Sequence, residues 1–195
     1  KSSPFGTVER PFIPAELVFG ARGTFFARTL DVDMPTTVDC MVQAHKHQGA
    51  SVIECLVNCV IFNHGTHNWI ADRETRAERS IILKHGEKMI FGKDKDKGLA
   101  LDYSQGLIPQ LIVVSADDER VLVHDATQKD PTLHRMLAMM GAEGDTTLPI
   151  ALGVIRNVEE ESYDMAVNQQ IRQVREQSKA KCFDELTRSL EQWEI

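Results

Sequence analysis

The sequence predicts an α/β fold built on a parallel sheet, and three observations carry that prediction. An apolar, β-branched run over residues 52–57 follows a helical stretch and ends in turn residues, as a buried strand of a parallel sheet does. Helix-like and strand-like segments alternate with short connections between residues 14 and 58, the pattern of βαβ winding. A chain of 195 residues, 42% hydrophobic and 26% charged, can bury one sizeable core with room for a smaller subdomain.

Residues 1–14, with three prolines and Gly6, read as an extended lead-in. Pro14 opens a helix with Leu17, Val18 and Ala21 at helical spacing, and Gly20 and Gly23 stop it. Residues 24–30 form a short strand. Asp33 is an N-cap and Pro35 suits the first turn of the next helix, on which Val38, Met41, Val42 and His45 recur until Gly49. The strand over residues 51–57 follows. Residues 68–80 are strongly charged and read as a solvated helix or loop. Residues 80–92 read as two short strands around the His85-Gly86 turn, and residues 93–98 alternate in charge as a further turn. Residues 99–101, 111–114 and 121–123 keep the β character, so residues 80–125 form a hairpin-rich subdomain. Asp130-Pro131 starts a helix with Leu133, Met136, Leu137 and Met140 on one face, and residues 150–155 make another apolar strand. The tail carries two helical stripes, Tyr163, Val167, Ile171 and Val174, then Cys182, Phe183, Leu186, Leu190 and Trp193. Such stripes dock on their own domain or on a partner subunit.

A net charge of -7 argues against a nucleic-acid-binding surface, which needs a concentrated basic patch. No apolar run is long enough to predict a membrane span. The first residues lack both an initiator Met and the apolar core of a signal peptide, so the chain reads as a cytoplasmic piece of a longer protein. Cysteines at 40, 55, 59 and 182 have no paired short spacing and make no disulfide framework.

Open α/β sheets place their chemistry just past the carboxyl ends of the strands, where Cys59 falls. The surrounding residues 58–65, NCVIFNHG, resemble a segment of the β subunit of 2-oxoacid:ferredoxin oxidoreductases, especially the 2-oxoglutarate branch. There a strand ends in Gln-Asn-Cys and Phe-Asn-Asp-Gly follows. Residues 1–6, KSSPFG, are similar to the family's link after its thiamin diphosphate loop. The run from His85 to Gly98 is similar to its charged hairpin. The resemblance implies the C-terminal half of a thiamin diphosphate-binding α/β domain over residues 1–66. A hairpin-rich extension over 67–159 and a helical tail over 160–195 follow. It also implies coenzyme A-dependent oxidative decarboxylation of a 2-oxoacid, with electrons leaving through a [4Fe-4S] cluster to ferredoxin, in complex with an α subunit. By position Cys59 matches the cluster ligand that the C-terminal half supplies.

The chain departs from the family pattern in carrying Leu56-Val57 for Tyr-Gln and His64 for Asp, and neither change touches the thiolate. The family's magnesium motif, Gly-Asp-Gly with a later Asn, has no counterpart here. Gly144-Asp145 lacks the second glycine, and Asn157 follows too soon. The thiamin diphosphate, Mg2+ and remaining cluster ligands are therefore expected outside this chain.

Alternatives stand beside Cys59 as a ligand. It can be a buried structural cysteine, or one corner of a zinc site with the His64-x-x-His67 pair, for which no fourth ligand lies nearby. If residues 51–59 stay extended, Cys55 lies about 13 Å from Cys59 and belongs to the core. Cys40 and Cys182 read as structural. His45 and His47 sit near a helix end, facing solvent or complementing the dipole, and His124-Asp125 is an acid–base pair or a strand-end pair. Two rivals to the oxidoreductase reading are a stand-alone zinc- or thiol-dependent enzyme and a non-catalytic interaction domain.

Overall fold

The computed structural model describes residues 5–6, 8–9, 12–141, 147–177 and 182–188. The chain divides into two compact units, Lys1–Glu160 and Glu161–Ile195.

In the first unit Pro14 pre-sets the helical φ of α1 (Pro14–Gly20), which buries Ala15, Val18 and Phe19. β1 (Phe25–Leu30) is buried at every position. The Asp33 carboxylate then accepts from the Thr36 N–H and caps α2 (Met34–Lys46), with proline in its first turn. β2 (Ser51–Leu56) returns parallel to β1, with Phe25 opposite Ser51 and Leu30 opposite Leu56, so α2 is the crossover of a βαβ unit. The charged stretch resolves into two single turns of helix, α3 (Asn68–Ala71) and α4 (Arg76–Arg79). After them come β3 (Ser80–Leu83), β4 (Ile90–Phe91), β5 (Lys97–Asp102), β6 (Gln110–Ser115), α5 (Thr132–Met139) and β7 (Ile150–Asn157).

The main sheet has the order β2-β1-β7-β3, and β4-β5-β6 form a separate antiparallel sheet. In the main sheet β1/β2 and β3/β7 are parallel, and β1/β7 joins the two pairs antiparallel. A mostly parallel α/β sheet with an accompanying hairpin sheet is therefore present.

Three details depart from the sequence reading. β2 is an edge strand, with Val52 and Cys55 exposed, because β7 rather than β2 occupies the sheet interior beside β1. β3 and β4 do not pair as a hairpin: β3 joins β7, while β4 joins β5. Residues 121–123 belong to neither sheet, although Met89 N–H donates to Leu122 O and Leu122 N–H to Leu99 O.

The largest core cluster draws Phe19, Phe26, Ile81, Leu99, Leu137 and Ile155 from helices and both sheets. Buried polar groups tie it together. Arg28 reaches across to its register partner Glu54, Nε to Oε2 at 2.6 Å, and its Nη2 donates to Ala138 O at 2.8 Å. A buried cation is tolerated only when paired in this way. Arg156 donates to the carbonyls of Gly23, Gln128 and Lys129 and to His134 Nδ1. His47 neither faces solvent nor merely complements α2. Its Nε2 lies 2.9 Å from Thr24 Oγ1 and its Nδ1 2.9 Å from Asn157 Oδ1, joining the start of β1 to the end of β7.

The second unit contains α6 (Tyr163–Gln177) and α7 (Phe183–Arg188). Along it Tyr163, Ile171, Val174 and Phe183 are exposed. Leu190, Trp193 and the Leu186 side chain, named for the second stripe, lie outside the described residues, as do Lys1–Pro4 and Gly144-Asp145. Among the described residues no helix is long and apolar enough to cross a membrane.

Candidate functional site: the loop beyond β2

β2 ends at Leu56, whose carbonyl accepts from Asp31 N–H at 3.1 Å. The chain leaves the sheet at Asn58, and that residue holds the loop from both sides. Its N–H donates to Asp31 Oδ2 at 3.0 Å, and its Oδ1 accepts from Gly65 N–H at 2.9 Å. Within this clasp Asn63 N–H donates to Cys59 O at 3.0 Å, closing the turn 59–63. Gly65 sits at φ +83, and a Cβ there would come 3.1 Å from the Asn68 amide, so the turn out of the loop requires glycine.

Cys59 stands exposed on this turn, three residues past the carboxyl end of β2. The Phe62 N–H approaches its Sγ at 3.5 Å. That amide, with those of Ile61 and Asn63, lowers the thiol below its ordinary value, since a ring of backbone donors favours the thiolate. Around the sulfur Val57, Val60, Ile61 and Phe62 are all exposed. The site is thus one exposed thiol, lowered by backbone amides, on a clamped loop with an apolar fringe.

The other sequence candidates fall elsewhere. Cys55 is exposed on the edge strand and not in the core, because the edge position leaves that face of β2 uncovered. The stretch 51–59 is extended only to Leu56. Cys40 is buried on α2, and burial, with Asp39 and Asp33 adding to it, pushes its thiol up to about 12. Cys182 is exposed. Cys59, His64 and His67 are not brought together as zinc ligands: among the described residues no three His, Cys, Asp or Glu side chains gather as a metal site requires. His124 does not pair with Asp125. It is buried with Nε2 on Val154 O at 2.8 Å, while Asp125 lies 3.4 Å from His85 Nδ1. Sequence reasoning missed Asp31 and Asn58 as the residues that clamp the loop. The one signal for Asn58 was an Asx residue directly after a strand, a common local hydrogen-bonding position.

An exposed cysteine sulfur backed by amide donors fits a single protein ligand of an iron–sulfur cluster, whose sulfurs commonly receive such hydrogen bonds. No residue of this chain is assigned to thiamin diphosphate.

No family model matches the chain. Over 177 residues it is 32% identical to the 2-oxoglutarate oxidoreductase subunit KorB of Mycobacterium tuberculosis, an alignment covering 88% of this chain and 44% of that protein. Its fold matches a chain of the 2-oxoglutarate:ferredoxin oxidoreductase from Magnetococcus marinus with a TM-score of 0.58 at 11% identity. That match covers 98% of this chain and 49% of the other. The chain spans about half the length of each.

Proposed function

Since this chain is a relative of the 2-oxoglutarate-type oxidoreductase β subunits, we propose that it serves as the cluster-ligating half of such a subunit. The observation that carries the reading is Cys59, an exposed thiol backed by backbone amides at the place where the family pattern puts a cluster cysteine.

In this reading the subunit works with an α subunit in the cytoplasm on a 2-oxoacid, 2-oxoglutarate being the substrate class that the relatives' names favour, and on coenzyme A and ferredoxin. Thiamin diphosphate with Mg2+ supplies the decarboxylation chemistry when bound, and a [4Fe-4S] cluster carries the electrons. This chain's own contribution is positional. Asp31 and Asn58 hold the turn, and the amides of Ile61, Phe62 and Asn63 lower the Cys59 thiol, which eases its loss of a proton to a soft metal. The exposed Val60, Ile61 and Phe62 exclude water from the sulfur once another surface covers them.

The test is iron and acid-labile sulfide per subunit in the full-length protein, prepared without oxygen. Cys59→Ser is expected to lower both and to slow ferredoxin reduction, because serine replaces a soft thiolate with a hard oxygen. Cys55→Ser, on an exposed edge position, is expected to leave both unchanged. The reverse outcome, cluster loss in Cys55→Ser with retention in Cys59→Ser, sinks the assignment.

A further inference from the structure

The chain is acidic overall, with net charge -7, yet one groove runs against that balance. It is bordered by α4, β3 and β4 and encloses about 690 Å³. Arg73, Arg76, Lys84, Lys88 and Lys95 line it, against the single carboxylate of Glu87. Among the described residues Arg73, Lys84, Lys88 and Lys95 form no ion pair. Arg76 is anchored by donating to Ile70 O and Ala71 O, bonds that fix its guanidinium without neutralising it. Uncompensated cations around a concavity focus their potential into it. The floor, by contrast, is apolar: Ile90, Phe91 and Ile82, which β3 leaves 48% exposed.

The rim is built to stay cationic. Beside its Gly92 edge stand the carboxylates of Asp96 and Glu78, and Glu78 is occupied by other donors: Oε1 accepts the Lys93 N–H at 2.9 Å and Oε2 pairs with Lys97 Nζ, so the five cations of the lining still outnumber the carboxylates. Those bonds, with Gly92 N–H to Ala77 O at 2.9 Å, pin the loop that carries Lys95. Lys95 itself is held at φ +51, a left-handed conformation that residues other than glycine seldom adopt. Strain of this kind persists where the surrounding structure imposes it, and it gathers at ligand clamps.

We infer that this groove binds a phosphate-bearing small molecule of nucleotide size, its phosphates on Lys84, Lys88 and Lys95 and its apolar part on Ile82 and Phe91. The volume falls in the range of small-molecule sites, roughly 300–1,000 Å³. Lysines are point-charge partners suited to phosphate. A flat acidic protein surface would use the cations but leave the recessed apolar floor empty.

The experiment is calorimetric titration of the full-length subunit with ADP at low ionic strength, with adenosine and inorganic pyrophosphate as separate arms. Saturable ADP binding is expected, tighter than either arm by roughly tenfold and weakened by added salt. Lys88→Glu and Lys95→Glu are each expected to weaken it by about tenfold or more. Lys46→Glu, an equal charge change on an exposed residue of α2 that does not line the groove, should stay within about twofold, as an exposed charge at a distance is largely screened. Thermal melts of all three variants verify folding, and Lys88→Glu tests the groove even if the strained loop does not tolerate the change at Lys95. Absence of saturable ADP binding overturns the inference, as does an equal loss in Lys46→Glu. Pyrophosphate binding as tightly as ADP removes the role of the apolar floor and overturns it too. Binding of poly-glutamate without ADP binding would make the groove a dock for an acidic protein instead.

Discussion

The reactivity of a thiol is set by what surrounds its sulfur, and two cysteines here sit at opposite ends. Backbone amides lower Cys59 below the ordinary thiol value, while burial pushes Cys40 up to about 12. With a trace of iodoacetamide near neutral pH, Cys59 is expected to alkylate well ahead of Cys40, read by peptide mass spectrometry; the opposite order would contradict the loop geometry. Burial acts on stability as well. Burial pulls His124 and His134 below the ordinary imidazole value, and His134 also faces Arg156 Nη1, which donates to its Nδ1 at 3.1 Å. Their folded values lie below the ordinary 6.5, so the unfolded chain takes up protons that the folded one refuses. Stability from these groups is present above that value and is lost as pH falls below it. For Cys40 the sign is opposite: its contribution is whole below the ordinary 9.0 and is lost as pH rises from there toward about 12. Denaturant midpoints should therefore fall on both flanks, and Cys40→Ala should flatten the alkaline one. Little of this was legible in the sequence. His134 is one residue in an ordinary helix, and the His47 bridge depends on Asn157, 110 positions away.

Elements were legible where their signals are local. Pro14, the Asp33 cap and the turn at Gly65 mark boundaries by their own chemistry, and the structure keeps them. The order of strands was not legible, because it is decided by pairings between distant segments. The run at β2 has the composition of a buried strand, yet β7 takes the interior place. β7 pays for its position with one glycine. Gly153 sits at φ +92 opposite Leu83, and an added Cβ would meet Leu83 O at 2.6 Å. Gly153→Ala is expected to destabilise the first unit by about 2 kcal/mol or more, through strain and a backbone clash. Gly98→Ala meets only the Val121 side chain, at 2.5 Å, and should cost less because a side chain can turn away. Denaturant unfolding of both variants measures the difference; equal losses would mean that the β3/β7 junction can relax.

At the scale of the whole molecule, the core clusters formed by the described residues all lie in the unit Lys1–Glu160. A chain ended after Glu160 is therefore expected to unfold cooperatively with nearly the parent's midpoint. A chain ended at residue 149, lacking β7, should be recovered only as aggregate. The reason lies in the antiparallel join of β1 to β7, seen as a schedule rather than a contact. Phe25 and Phe26 leave the ribosome about 130 residues ahead of their partners Asn157 and Arg156. At about 5–20 residues per second, β1 waits roughly 6 to 26 s with one edge unpaired. In that interval α1, whose Phe19 packs on Phe26, with α2 and β2 and then β3 to α5 as they emerge, can shelter its faces, but none of them pairs its second edge. Anything that slows translation between residues 60 and 150 lengthens the wait, so yield in the cell should depend on elongation rate and on chaperones that hold an open strand edge.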